Sequence, residues 1–404
     1  MMTLVDDSLD PRPSPVLGTP PFDARLLDSL MEEAGIDIVV ATSRHNLRYL
    51  LGGYSFFFFD RFDAIGVARY VPALVYVKGR PDLTLYVGNT MESYEHENRR
   101  IWVPHVAFST WSSGNTAGLI LDHIRKSGLN PRRIGVEFAF MPTDMERSLT
   151  STAANLEYRE ALPALERLRA RKSPAELRLL REASERVVDA MLAVTAGHGP
   201  GVTTRGLASA VRREEEKREL LFEYCLVTTG TSLNRAPSDR RWENGGILSL
   251  DSGGNFGGYI GDVCRMAILG EPDTELVDLL AGIEEVQRAA RNPIRAGAIG
   301  GEIYEAAERV LRGLPDASVI HFVAHGMGLI PHEAPRLTSA GPVPYDGVDA
   351  DRPLEAGMVL SIETTLPHPR RGFIKLEDTV AVTATGCEGF GDGGRGWNRG
   401  GTRA

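Results

Sequence analysis

The chain has 404 residues, 42% hydrophobic and 25% charged, an ordinary globular balance whose length points to two domains or one large one. Its net charge of −9 argues against a nucleic-acid binder, which needs a basic face. No apolar run reaches membrane-spanning length, since the oily cluster FFFF at 56–59 is followed at once by Asp60 and Arg61.

The first stretch, MMTLVDDSLDPRPSPVLGTPP (1–21), is acidic and proline-rich. It lacks the basic start and apolar core of a secretory signal and reads as a flexible leader. FDARLLDSLMEEAG (22–35) has helical spacing and ends at a glycine; DIVVAT (37–42) reads as a strand. ALVYVKG (73–79) and LTLYVG (83–88) are two strands joined by the turn RPD. NTAGLILDHIRKSG (115–128) is a helix and RIGVEF (133–138) a strand, so residues 22–163 read as an α/β domain.

Charge density then rises. ALERLRARKSPAELRLLREASERVVDAML (164–192) reads as helix, break and helix. Ser173 is the expected N-cap, Pro174 suits the first helical position, and Glu176 completes a capping box. Beyond this boundary come a helix (203–218), strands around 221–229 and 247–268, and helices at 273–295 and 301–313. Strands around 318–323, 357–363 and 373–383 follow, giving an α+β second domain (164–387) with antiparallel pairs. The glycine-rich segment 388–404 is expected to be a flexible, frayed tail. The mixed signs of RREEEKREL (212–220) read as a solvated helix face. The three cysteines, Cys225, Cys264 and Cys387, form no C-x-x-C pair. That speaks against a zinc knuckle or a disulfide framework and for a reducing, cytoplasmic setting.

The chemistry concentrates in the second half. SLDSGGNFGGYIGD (249–262) holds Asp251 and Asp262 with five glycines between them and apolar flanks. A glycine-rich connection lets two strands fold back as a pair and sets the carboxylates on neighbouring strands, where a cation relieves their repulsion. An EF-hand loop does not fit, because Gly253 and Phe256 stand where an acid and the glycine belong and no helix precedes. Taken alone, the pair would pass for exposed turn aspartates. VAHGMGLIPHEAP (323–335) adds His325 and His332 among glycines and apolar residues. Glu363 ends the apolar run MVLSIE, and Glu377 lies inside FIKLEDTVAV; a glutamate within such a run needs a partner. Carboxylates with an imidazole suit a pair of borderline divalent metals such as Mn, Co, Fe or Zn.

The order and spacing of these residues resemble the pita-bread metallohydrolases: creatinase, prolidase, aminopeptidase P and methionine aminopeptidase. The resemblance covers roughly residues 22–387. RARKSPAELRLLREA resembles the start of the catalytic domain in the creatinase/prolidase branch, and NLRYLLGGY (46–54) that branch's N-terminal domain. It implies a two-domain α+β fold and two divalent ions held by Asp251, Asp262, His325, Glu363 and Glu377. Asp262 and Glu377 would bridge the ions, with Asp251 completing one position and His325 and Glu363 the other. It also implies a hydrolase in which a metal-bridging hydroxide attacks the carbonyl of a C–N bond in an X-Pro dipeptide, a short peptide or a small amide. Glu363 would be ligand and proton shuttle, and His332 would hydrogen-bond the substrate. Members of this layout are commonly homodimers, which makes YSFFFFDRF (54–62) a candidate partner contact or substrate wall, with a buried core segment as the alternative.

Three departures stand out. Prolidase-like chains carry a histidine in a G-x-N-x-x-x-x-H-x-x-P-S-D stretch; here TTGTSLNRAPSDRRW (228–242) keeps Pro237, Ser238 and Asp239 but has Asn234 in the histidine's place. Asn donates a hydrogen bond but carries no proton at neutral pH, and Arg235 beside it is a candidate substrate contact. Lys375 replaces the arginine usual two residues before the last glutamate, keeping the charge without the bidentate fork. SAGPVPYDGVDADRPLEAG (339–357) is long enough for a lid or dimer contact. The readings in competition are a dinuclear hydrolase, an enzyme with repurposed chemistry on the same scaffold (a small-metabolite amide or ring hydrolase, or a lyase), and a non-catalytic binding protein, the last disfavoured by the complete ligand set.

Overall fold

A computed structural model describes residues 12, 14–60, 66, 68–109, 111–152, 156–339 and 346–402. Most of the leader (1–11 and 13), Arg61 and Phe62 of the aromatic run, and 340–345 of the long segment lie outside the described residues. Packing divides the chain between Arg169 and Ala170, six residues beyond the boundary expected from charge density.

The first unit carries α1 (Ala24–Glu33), β1 (Ile38–Ala41), α2 (Arg44–Leu50), β2 (Ala73–Val77), β3 (Leu85–Asn89), α3 (Ser93–Glu97), β4 (His105–Ser109), α4 (Ser113–Lys126), β5 (Arg133–Val136), α5 (Thr143–Thr152), β6 (Glu157–Glu160) and α6 (Leu162–Ala170). Its six strands form one sheet in the order β4-β3-β2-β1-β5-β6. β1 pairs antiparallel with β2 and parallel with β5. All four residues of β1 are buried, as a strand packed on both faces requires. In the aromatic run, Phe56 and Phe59 are buried in this unit's core while Phe57 is 41% exposed.

The second unit carries α7 (Pro174–Gly197), α8 (Thr204–Lys217), β7 (Leu221–Thr229), β8 (Ile247–Phe256), β9 (Tyr259–Ile268), α9 (Thr274–Arg291), α10 (Gly300–Leu311), β10 (His321–Gly326), β11 (Val359–His368), β12 (Gly372–Val382), β13 (Cys387–Phe390) and β14 (Asn398–Arg399). Ser173 caps α7 through the Glu176 amide, the Glu176 side chain returns to the Ser173 amide, and Pro174 opens the helix. One sheet runs β10-β11-β12-β9-β8-β7, antiparallel along that path, with β13 added on β12 and β14 on β9. β11 runs to His368, five residues past its expected end, because its hairpin with β12 pairs down to His368 and Gly372. Among the described residues, no helix is long and apolar enough to cross a membrane.

Through residue 402 the glycine-rich end lies within the described residues. Cys387–Phe390 forms β13 and Asn398–Arg399 forms β14, the Asn398 side-chain amide donates to the Met266, Gly394 and Gly396 carbonyls, and Arg395 pairs with the buried Asp378. Composition alone pointed to flexibility; these contacts to the sheet offset the entropy that glycine costs.

Candidate active site

The β8–β9 hairpin explains the glycines between the two aspartates. Gly257 and Gly258 both have positive φ and close a two-residue turn between Phe256 and Tyr259, which glycine takes without strain. Gly261 faces α7 so closely that a Cβ would lie 2.5 Å from the Ser184 nitrogen. On the opposite face, a Cβ at Gly253 would lie 2.4 Å from the Tyr224 ring. Glycine therefore lets the helix seat on one side and Tyr224 on the other.

Strand register assembles the site. Asp251 pairs with Cys264 and Asp262 with Gly253, so the aspartates are diagonal neighbours on one face. Glu377 pairs with Cys264 on one side and directly with Glu363 on the other. His325 pairs with Ser361, two residues before Glu363 on β11, and so belongs to the same face. Five residues from five strands thereby converge. Asp251, Asp262, His325 and Glu377 are buried, none more than 4% exposed, and the Glu363 side chain is 12% exposed.

Donor atoms of Asp262, His325 and Glu377 lie within 4.8 Å of one another. His325 Nδ1 donates to the Gly326 carbonyl at 3.3 Å, which leaves the Nε2 lone pair facing the site. That Nε2 is buried, makes no hydrogen bond among the described residues, and sits 3.9 Å from both Glu363 Oε1 and Glu377 Oε1. An acceptor nitrogen aimed at carboxylate oxygens beyond hydrogen-bond distance is the arrangement a divalent ion satisfies, and the donor set fits one. Ser361 Oγ donates to Glu377 Oε1 at 2.8 Å and holds that carboxylate in place.

Two cations reach in from the other side. Lys375 Nζ lies 2.8 Å from Asp251 Oδ2, 2.6 Å from Glu363 Oε2 and 2.8 Å from Glu377 Oε2. Arg235 donates to the same Asp251 oxygen, its guanidinium over the Phe373 ring. Burial would depress the Lys375 ammonium, but Asp251, Glu377 and Glu363 hold its pKa well above the usual lysine range. Burial, with Glu377 and Asp251 alongside, pushes Asp262 well above the usual carboxylate range, and Asp251 is also raised by burial. Tyr224 is raised by burial and the neighbouring acids; its phenol stays protonated and donates to Asp262.

These groups line a cavity of about 410 Å³ with Leu226, Pro331 and His332. The His332 ring stacks on His325 at 3.8 Å between centroids, and burial, with His325, Lys375 and Arg336 alongside, pushes its pKa down to about 3. His332 is therefore a neutral imidazole. Glu333, beside it, points away to a buried ion pair with Lys172 at 3.0 Å.

Of the residues expected here, Asp251, Asp262, His332, Glu363, Glu377 and Arg235 line the cavity, and His325 stands behind them. Asn234 does not join them. It is exposed, and its side-chain oxygen accepts from the Ala236 amide, so it shapes its own turn and leaves Arg235 to face the acids. Tyr224 and Leu226 escaped the sequence reading. Their alternation along 221–229 was visible, but only the pairing of Leu226 with Asp251 and Tyr224 with Gly253 shows which face they take.

Comparison with known proteins agrees with this architecture. The profile of metallopeptidase family M24 matches residues 178–384, just over half the chain, and that of the creatinase/prolidase N-terminal domain matches 25–171. An uncharacterized peptidase of Bacillus subtilis, YqhT, is 26% identical over 375 residues, covering 89% of this chain and 95% of its own length. The probable dipeptidase PepE of Mycobacterium tuberculosis is 32% identical over 235 residues, covering 56% of this chain and 60% of its own. In fold, the Xaa-Pro dipeptidase of Bacillus anthracis superposes with a TM-score of 0.78 at 20% identity, covering 93% of this chain and 98% of that one.

Proposed function

The chain belongs to metallopeptidase family M24, and from that premise we propose that it hydrolyses a C–N bond in an X-Pro dipeptide or short peptide, or in a small amide, using divalent metal. The observation that carries this reading is the buried His325 Nε2, without a hydrogen bond among the described residues and facing acids of other strands. Asp262, His325, Glu363 and Glu377 would hold metal, with Asp251 as the fifth donor of the set. Mn, Co, Fe and Zn all suit such donors. When bound, the metal supplies Lewis-acid polarisation and makes water a competent nucleophile near neutral pH.

The chain's own groups do the rest. Glu363, the least buried of the acids, is placed to take a proton and hand it to the leaving nitrogen. Neutral His332 hydrogen-bonds the substrate. The Tyr224 phenol keeps Asp262 oriented and stays protonated at working pH. Arg235 offers a half-exposed charge at the cavity mouth for a substrate carboxylate. Homodimeric assembly and a cytoplasmic setting complete this reading.

A second reading has one observation in its favour. Asn234, which holds the histidine's place in the sequence, is turned to its own loop, and Arg235 lines the cavity instead, which favours a small anionic amide over a peptide. Metal-loaded protein assayed against X-Pro dipeptides and small N-acyl acids separates the two: dipeptide turnover supports the first, turnover of N-acyl acids alone the second. A protein inert toward both after loading refutes metal-dependent C–N hydrolysis. Asn234→His should raise dipeptide turnover under the second reading and leave it unchanged under the first.

A further inference from the structure

Side chains alternate across a strand, so the residue just before each of Glu363, Glu377 and His325 faces away from the cavity, toward the helices behind the sheet. Ile362 and Ala324 share a core with Val286 of α9 and Ile303 of α10, and Leu376 shares one with Ile283 of α9. Two polar side chains reach the backbone of these same residues.

Gln287 is fully buried, the polar member of an α9 face otherwise made of Leu276, Leu280, Ile283, Val286 and Ala290. An amide in such a face costs free energy that an aliphatic side chain would not, unless its hydrogen bonds are made. Its Nε2 donates to the Ile362 carbonyl at 3.0 Å and to the Leu376 carbonyl at 2.5 Å. Ile362 pairs with Asp378 and Leu376 with Thr364, so the two carbonyls flank the Glu363–Glu377 pair diagonally. One amide thus ties β11 to β12 where the two acids stand opposite. Arg395, itself paired with Asp378, donates to Gln287 Oε1 at 3.4 Å.

Tyr304 of α10 does the corresponding work on β10, which ends the path of the sheet and pairs only with β11. An end strand leaves backbone groups on its outer side without a strand partner. The Tyr304 hydroxyl accepts from the Ala324 amide at 3.0 Å and donates to the Ala324 carbonyl at 2.9 Å, while its ring packs edge-on against Phe322. We infer that Gln287 and Tyr304 are positioning residues of the metal-binding set, fixing from the helix side the backbone that aims Glu363, Glu377 and His325. The inference rests on the metal-dependent reading above. Neither side chain touches a ligand group, so their effect on metal passes through the backbone.

The test is Mn(II) affinity by calorimetry on metal-stripped protein, with the Tm of the metal-free protein measured alongside. Gln287→Met and Tyr304→Phe keep the shape and remove the hydrogen bonds, and each should weaken Mn(II) binding about 10-fold, the low end for a residue that supports metal ligands. They act on different strands, so either one carries the test if the other does not fold. Thr204→Val is the control for general destabilisation, since its buried hydroxyl bonds Ser238 away from the ligand strands. Its Tm should fall with Mn(II) affinity unchanged. Variants that melt lower yet bind Mn(II) like the wild type, or an equal loss of affinity in Thr204→Val, overturn the inference and leave metal-dependent hydrolysis standing. A wild-type chain that takes up no Mn(II), Co(II), Fe(II) or Zn(II) overturns both.

Discussion

Asp378, next to Glu377 but on the other face of β12, is the anchor whose loss we expect to be felt most. It is fully buried and meets Arg265 at 3.0 Å, Arg291 at 3.3 Å, and Arg395. Burial would raise its pKa, but the three guanidinium groups hold it below the usual carboxylate range. Arg265, 2% exposed, also donates to the carbonyls of Cys264, Glu377, Gly391 and Gly393, so it ties β9, β12 and the C-terminal segment together. Asp378→Asn keeps the shape and removes the charge, leaving Arg265 buried with only neutral acceptors. Removing one partner of a buried pair costs about 3–5 kcal/mol. Arg291 and Arg395 are partly solvated and retain Asp392, so the low end, about 3 kcal/mol, is expected. For a unit of this size that is a fall in Tm of about 6–12 °C. A depressed carboxyl contributes stability above its unfolded pKa of about 3.9, and that stability is lost as pH falls through the folded value. The wild-type advantage should therefore be full at pH 7 and shrink below about pH 4. Scanning calorimetry at pH 7 and pH 3.5 measures both, with Glu271→Gln, at an exposed pair with Arg399, as the control. A shift at pH 7 no larger than the control's, or one that does not shrink in acid, refutes the reasoning.

Glu215 on α8 is buried, accepts from Ser252 Oγ at 2.7 Å, and is pushed up to about 8, chiefly by burial and further by Glu223 and Glu216. A raised folded pKa means stability present in acid and lost as pH rises through about 8. Wild-type Tm should fall more steeply than that of Glu215→Gln between pH 6 and 9, and parallel falls would count against a protonated Glu215. Gly261→Ala drives a Cβ into the α7 backbone at 2.5–2.7 Å and should cost about 2 kcal/mol or more in urea unfolding, whereas Gly301→Ala meets nothing within 4 Å and should cost little. Equal midpoints for the two variants would show that α7 does not seat on the hairpin as described. Arg235→Ala should raise KM for a carboxylate-bearing substrate about 10–100-fold, the loss of one charged hydrogen bond, with a smaller change in kcat and only partial recovery in Arg235→Lys. An unchanged KM removes Arg235 from substrate recognition.

Local chemistry made much of this protein legible in its sequence. Ser173, Pro174 and Glu176 announce the start of α7 because a capping box is a contact between neighbours in the chain. The β8–β9 hairpin follows from glycines at the two positions where φ must be positive. The isolated acids in apolar strands, together with His325, stand out because each needs a partner that its own segment does not supply. Tertiary structure decided what depends on register. The pairing of Glu377 with Cys264 and Glu363, and of Leu226 with Asp251, sets which side chains share a face, and a shift of one residue would reverse it. It also turned Asn234 to its own loop and Arg235 to the acids, although the two are adjacent in the chain. Lys375 stood out in the sequence only as a lysine where the resemblance expects an arginine. Two of its three carboxylate partners, Asp251 and Glu363, come from other strands, and a contact made across a sheet leaves no trace in the spacing of either.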